Sequence, residues 1–526
     1  MKRRDFLKAA VGAAIVPQLE RGRPPQTRAF ELDEKTIADL RKSIDDGSET
    51  AASITEKHLA RIEEIDRNGP KLNSVIELNP DAVITATALD RLRRARGPMF
   101  GVPVLIKDNI ETGDKMQTTA GSLLLEGNRA KKDAFIVNRL RQAGAVIIGK
   151  TNLSEWANFR STHSTSGWSG RGGLTKNPYA LDRNTSGSSS GSGSATAASL
   201  CCVSIGTETD GSIVSPATSN GLVGIKPTVG LVSRSGIIPL AHSQDTAGPM
   251  CRTVRDAAIL LGAIAGKDPA DPAAKDYKGA DNYVQYLNAN GLRGRRVGVG
   301  RQFFGFSDAV DKVMEDTIRA LKSAGAVIVD PVDMANKDGY NESELEVLLY
   351  EFKADINKYL SSLGSSTGYR SLRDLIAGNV RMKDREMPFF GQELFERAQE
   401  KGPLTEKKYR DALALNHRLS QKEGIDAAMD KHRVDAIIAP SGSPAWMTDL
   451  INGDHFTGGS SSPAAVSGYP AITVPAGFVH GLPVGVTFFG RKWSEPVLIK
   501  FAYAFEQATK VRKAPKFLAT AELQIR

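Results

Sequence analysis

Two stretches, Asp133-Ala-Phe-Ile-Val-Asn-Arg-Leu-Arg-Gln-Ala-Gly-Ala-Val-Ile-Ile-Gly-Lys150 and Asp308-Ala-Val-Asp-Lys-Val-Met-Glu-Asp-Thr-Ile-Arg-Ala-Leu-Lys-Ser-Ala-Gly-Ala-Val-Ile-Val-Asp330, share one grammar. Each opens with an amphipathic helical pattern, reaches Ala-Gly-Ala-Val-Ile, and stops at a polar residue. The glycine suits a helix C-cap, and the β-branched run after it suits a buried strand. Further short apolar strands are expected at Val102–Ile106, Val297–Val299, Ala436–Ala439, Ala471–Val474 and Val484–Phe489. Helical segments lie between them. The class that follows is α/β, with one large mixed β-sheet covered by helices on both faces. From Thr36 to Ile65, apolar residues recur at helical spacing, with Ile37, Leu40, Ile44, Ile54, Leu59, Ile62 and Ile65 as expected core contacts. Residues 266–295 are polar and turn-rich and read as a surface excursion. The division expected is therefore a targeting segment and linker over 1–29 and one domain over 30–526.

With 526 residues, 40% hydrophobic and 25% charged, the composition is that of a globular chain and excludes disorder or a membrane bundle. The formal charge of +9 is concentrated at the N-terminus, where residues 1–29 hold seven basic and two acidic side chains. No dense Lys/Arg stripe with interleaved aromatics remains, so nucleic acid is not an expected partner. Cys201, Cys202 and Cys251 give neither a disulfide framework nor a zinc pattern and read as buried thiols. No metal and no cofactor is expected. Arg3-Arg4-Asp5-Phe6-Leu7-Lys8 followed by Ala9–Val16 resembles a twin-arginine export signal. It points to a periplasmic or secreted protein, with a cytoplasmic one as the alternative. The apolar run is too short for a stable membrane span.

The chemistry concentrates in three places. Gly187-Ser-Ser-Ser-Gly-Ser192 and Gly206-Thr-Glu-Thr-Asp-Gly-Ser-Ile213 are Gly/Ser-rich turns whose Ser188 and Ser212 stand 24 residues apart, and Lys107 closes the apolar run Val102-Pro-Val-Leu-Ile-Lys107. Serine needs a base at neutral pH, and a lysine whose pKa is lowered by burial can be one. Read alone, Lys107 is better taken as half of a buried ion pair with Asp108. Gly187–Gly191 also fits the nucleophile-elbow pattern centred on Ser189, but no strand precedes it. The candidate partners His242, His417, His432, His455 and His480 carry no distinctive motif either. A phosphate-binding P-loop is excluded because no Lys follows the glycines. The second turn can aim successive backbone N–H groups into one cavity, as an oxyanion hole requires.

These blocks, with Gly224-Ile-Lys-Pro-Thr228 and Gly468-Tyr-Pro-Ala-Ile-Thr-Val-Pro475, resemble the amidase signature family of amide hydrolases over about residues 30–515. Gly149–Phe159, Ser166-Gly-Trp168 and Leu348–Lys353 are similar to its bacterial peptide-amidase branch. The resemblance implies Ser212 as nucleophile, Ser188 as a bridging serine joined to Gly187 by a cis bond, and Lys107 as base. It places the oxyanion donors at the N–H groups of Thr209, Asp210, Gly211 and Ser212. The expected reaction is hydrolysis of carboxamides, in particular C-terminal amides of peptides or amino-acid amides, with release of ammonia. Alternatives are a broad aliphatic or aryl amidase, or a glutamine-amidotransferase-type subunit. Trp156, Phe159 and Trp168 are candidate substrate contacts that read equally well as core. The family's frequent Gly-Gly-Ser is Asp210-Gly211-Ser212 here. Ile213-Val214-Ser215-Pro216 departs from the Arg and Gln of amidotransferase subunits. A single-chain monomer is expected.

Overall fold

A computed structural model describes residues 29–92, 97–335, 338–364 and 367–523. The export-signal motif lies outside them. Eleven strands form one sheet: β1 (Val75–Leu78), β2 (Pro103–Lys107), β3 (Val146–Thr151), β4 (Val203–Glu208), β5 (Val223–Lys226), β6 (Thr246–Cys251), β7 (Arg296–Val299), β8 (Val327–Val329), β9 (Ala436–Pro440), β10 (Ala471–Val479) and β11 (Leu482–Phe489). Their order is β1-β3-β2-β4-β6-β5-β10-β11-β9-β7-β8. The neighbours β3-β2-β4 and β9-β7-β8 run parallel, and the remaining pairs are antiparallel, so the sheet is mixed as expected.

Alternation along the strands divides the core between two faces. Val104, Ile106, Ile147, Val299 and Ile438 join one cluster with the Val254–Ile264, Asp308–Ser323 and Glu495–Thr509 helices. On the other face Leu105, Val146 and Ile148 pack with Ala195 and Ala198, while Ile437, Ala439 and Phe489 pack with Val214 and Ala464. Lys107 follows Leu105 by two positions and therefore points toward the second face.

The two opening stretches have different fates. The first gives helix Phe135–Gln142 and the wholly buried strand β3. The second gives helix Asp308–Ser323, but β8 is the sheet edge and Val327 is exposed, so only its inner side is covered. The helical pattern over 36–65 is also interrupted. Thr36 and Thr50 each close a capping box and start separate helices, Ile37–Asp45 and Ala51–Arg61, before a wider π-helical turn at Ile62–Asn68. Of the core residues expected there, Leu59 is only half-buried. The 266–295 excursion contains two short 3-10 turns, Pro272–Asp276 and Val284–Tyr286, and Tyr283 anchors it to the core.

A third layer covers one part of the molecule. The helices Asn341–Ser362, Leu372–Arg381 and Glu393–Gln399 build their own apolar core around Leu349, Phe352, Ile356, Leu375 and Phe395, and Lys407–His417 packs on the first of them through Tyr409 and Ala412. Among the described residues, no helix is long and apolar enough to cross a membrane.

Candidate active site

Lys107 is the last residue of β2, and Thr207 and Glu208 end the parallel neighbour β4. Carboxyl ends of parallel strands are where α/β sheets hold ligands, because loops rather than ladders leave them. The side chain of Lys107 is fully buried. Its Nζ donates to Ser188 Oγ at 2.8 Å, Ser189 Oγ at 3.0 Å, Thr207 Oγ1 at 2.9 Å and the carbonyl of Thr207 at 3.2 Å. Burial pushes its pKa down to about 7, and the negative charges of Asp245 and Glu208 oppose that fall only in part. The pairing of Lys107 with Asp108 is not found. Asp108 accepts hydrogen bonds from Thr119 Oγ1 and the N–H of Gly121, and lies 3.5 Å from the guanidinium of Arg171.

The peptide bond between Gly187 and Ser188 is cis. A Cβ at position 187 would come within 2.2 Å of Ser154 Oγ, so only glycine fits against the loop that follows β3. Residues 182–187 form no strand and the helix begins at Ser190, so the nucleophile-elbow geometry is absent. Ser189 is nevertheless engaged: its Oγ donates to the carbonyl of Thr207 at 3.0 Å and accepts from the N–H of Thr207 at 3.1 Å.

The two serine turns are fastened together. The N–H of Ser189 donates to the carbonyl of Ser212 at 3.2 Å, and the hydroxyls of Ser186 and Ser215 share a 2.8 Å bond. Gly211 adopts φ +77°, a conformation that lets the chain reverse between β4 and the Val214–Ser219 helix. Glu208 holds the far side of the turn, its carboxylate accepting the N–H groups of Ile213 at 2.7 Å and Val214 at 3.0 Å. Among the described residues, none of the N–H groups of Thr209, Asp210, Gly211 and Ser212 donates to another protein group. Ser188 is 0% exposed and Ser212 is 8% exposed, so Ser212 is the serine that a molecule from outside meets.

Thr207 and Asp245 are polar groups of the site that motif reasoning passed over, and Ser189, the centre of the elbow pattern, joins them there. Asp245 accepts from Thr209 Oγ1 at 2.6 Å and from the N–H groups of Leu240 and Ala241, and burial raises its pKa to about 6. Its tether is a local turn with no compositional mark. Beside it a cavity of about 330 Å³ is lined by Asn109, Thr207, Thr209, Ile238, Leu240 and Asp245.

The aromatic candidates lie elsewhere. Trp156 and Phe159 are buried edge-to-face against Phe395 and Phe352 beneath the helical cover. Trp168 sits between Phe389, Phe390 and the buried guanidinium of Arg160. None of the three lines the cavity, and the expectation that they contact substrate is corrected: their rings fill the joint between the 155–168 segment and the cover. His242 is bound to the cover through Asp355 at 2.7 Å and Glu351 at 3.3 Å. Cys201, Cys202 and Cys251 are buried free thiols, as read. Lys226, within Gly224–Thr228, donates to the carbonyls of Ala464 and Tyr469, which gives that block a structural role.

Comparison with known proteins places the chain among amidases. The family model described as Amidase matches residues 53–499. The native peptide amidase of Stenotrophomonas maltophilia superposes with a TM-score of 0.88 at 49% identity, covering 93% of this chain and 100% of that one. An amidase family protein from Bacillus anthracis superposes with a TM-score of 0.84 at 37% identity, covering 92% of this chain and 93% of that one. A probable amidase of Arabidopsis thaliana is 42% identical over 93% of both chains.

Proposed function

We propose that this chain, which belongs to the amidase signature family and is an amide-hydrolysing enzyme, cleaves C-terminal carboxamides of peptides or amino-acid amides through an acyl-enzyme on Ser212. The observation that carries the reading is the wholly buried Lys107 bonded at 2.8 Å to Ser188, under the turn that presents Ser212. Neutral Lys107 takes a proton relayed from Ser212 through Ser188, and Ser212 attacks the amide carbon. The oxyanion is held by the N–H groups of residues 209–212, each such donor being worth about 2.7–4 kcal/mol in the transition state. Ser188 returns the proton to departing ammonia, and water resolves the ester by the reverse relay.

The choice of peptide amides rests on likeness to the Stenotrophomonas enzyme. The adjoining cavity, apolar at Ile238 and Leu240, is proposed to take the acyl portion. A transamidating role is less well supported, because Ile213-Val214-Ser215-Pro216 follows the nucleophile turn. The deciding experiment is ammonia release from a panel of peptide amides, free peptides and simple aliphatic and aryl amides by the purified chain and Ser212→Ala. Preference for simple amides would replace the substrate assignment, and full activity in Ser212→Ala would remove the mechanism. Export is proposed from the N-terminal motif and tested by cell fractionation; the monomeric state proposed beside it is tested by size-exclusion chromatography.

A further inference from the structure

The Ser212 turn meets the helical cover at a pair of carboxyl groups. Asp210 accepts hydrogen bonds from Ser461 Oγ at 2.5 Å and Ser462 Oγ at 2.6 Å, and its carboxyl faces that of Glu344 within hydrogen-bonding reach. Glu344 lies in the first turn of the Asn341–Ser362 helix. Two carboxylates are acceptors only, so carboxyls that bond to each other share a proton. Gln244 Nε2 closes a bracket around the pair, donating to Glu344 Oε1 at 2.9 Å and to the carbonyl of Thr209 at 3.3 Å. Tyr340 is buried against both acids, and its hydroxyl has no hydrogen-bond partner among the described residues.

The other charged groups facing the pair are Lys226 on β5 and Glu208 at the end of β4, while Asp338, ahead of the helix, faces the neighbouring Tyr340. Lys226 does not bridge the two acids, because its ammonium is taken by the carbonyls of Ala464 and Tyr469. The tie between turn and cover therefore depends on the shared proton and the Gln244 amide.

We infer that the Asp210–Glu344 pair is a proton-dependent tie that holds the Ser212 turn in its oxyanion-binding shape, which makes Glu344 a positioning residue for amide hydrolysis. The inference rests on the assignment of Ser212 as nucleophile. Burial and the charge of Asp210 push the pKa of Glu344 up to about 8, and burial raises that of Asp210 as well. Below that range the proton is held and the tie is made; above it two adjacent carboxylates repel, and the turn parts from the cover. Lys107, losing its proton near 7, governs the acid side of the profile, and the pair governs the alkaline side.

The test is kcat and KM for a peptide amide from about pH 5 to about pH 10 in wild type, Glu344→Gln and Glu344→Ala, with Ser212→Ala alongside. Wild-type kcat is expected to fall above about pH 8. Glu344→Gln donates to Asp210 without titrating. It should retain kcat within about threefold at neutral pH and move the alkaline fall up by about one pH unit or more. Glu344→Ala should lower kcat about tenfold with KM within about twofold, in a protein whose thermal transition shows it folded. An alkaline limb in Glu344→Gln that superimposes on the wild type overturns the inference. Should the variants not fold, infrared difference spectra of the wild type decide. Loss of one protonated carboxyl band between about pH 7 and about pH 9 is expected, and its absence overturns the tie. A fully active Ser212→Ala removes the underlying mechanism instead, so the two failures are told apart.

Discussion

Lys107 and Lys150 stand on the neighbouring strands β2 and β3, both wholly buried, with pKa values pushed down by burial to about 7 and about 8. They face opposite ways. The pairing of Lys107 with Thr151, whose hydroxyl meets Ser192, sends Lys107 toward the serine-rich helix. Lys150 pairs with Ile106 and turns to the other side, donating to the carbonyl of Ile110 and to Thr118 Oγ1, with Asp108 the charge that acts on it most strongly. Burial therefore lowers the pKa of both lysines toward the neutral range, but the partners decide whether a lone pair can reach a nucleophile. Lys107 meets hydroxyls that lead to the Ser212 turn, whereas Lys150 meets a carbonyl and a threonine that lead nowhere.

The sharpest way to break this contrast is Ser212→Ala. Ammonia release should fall by at least ~10⁴-fold, and an active variant would leave the Lys107 pocket without a purpose. Next in size, Lys107→Ala should lower kcat by ~10³-fold and erase the rise of activity through about pH 7, where the buried lysine becomes neutral. A variant profile that keeps the rise assigns the base elsewhere, and Lys150 would be the first alternative. Lys150→Met should keep that limb while destabilising the fold by about 1–3 kcal/mol, since Ile110 and Thr118 lose a buried donor; chemical denaturation with a parallel pH profile checks both. A flattened limb in Lys150→Met would erase the distinction between the two lysines.

The smallest effect sharpens the serine loop. Ser189 centres the elbow pattern and has no role in the family pattern, yet it touches both Lys107 and Thr207. Ser189→Ala should therefore cost about fivefold in kcat, the worth of one hydrogen bond of about 1 kcal/mol, where an uninvolved serine would cost nothing.

Much of the frame was legible because periodicity and turn chemistry are local. The five apolar strands expected from 102–106, 297–299, 436–439, 471–474 and 484–489 all exist, and β10 runs on to Val479 because it hairpins with β11. Position in the sheet was not legible. The two Ala-Gly-Ala-Val-Ile repeats look alike, yet one enters the interior and the other the edge, because strand order depends on packing between segments far apart in the chain. The aromatic residues failed for the same reason. Trp156 and Phe159 sit beside a motif, but helices some 200 residues downstream bury them.

By itself the sequence determined the α/β class, the family, and the residue types available for the reaction. Glycine and serine at 187–192 and 206–213 specify turns through backbone sterics that need no distant partner. Only the tertiary structure decided that Lys107 bonds Ser188, Ser189 and Thr207 rather than Asp108, and that Asp210 reaches Glu344. Burial, charge proximity and pleat direction set those pairings, and each arises from elements that meet only when the sheet is assembled.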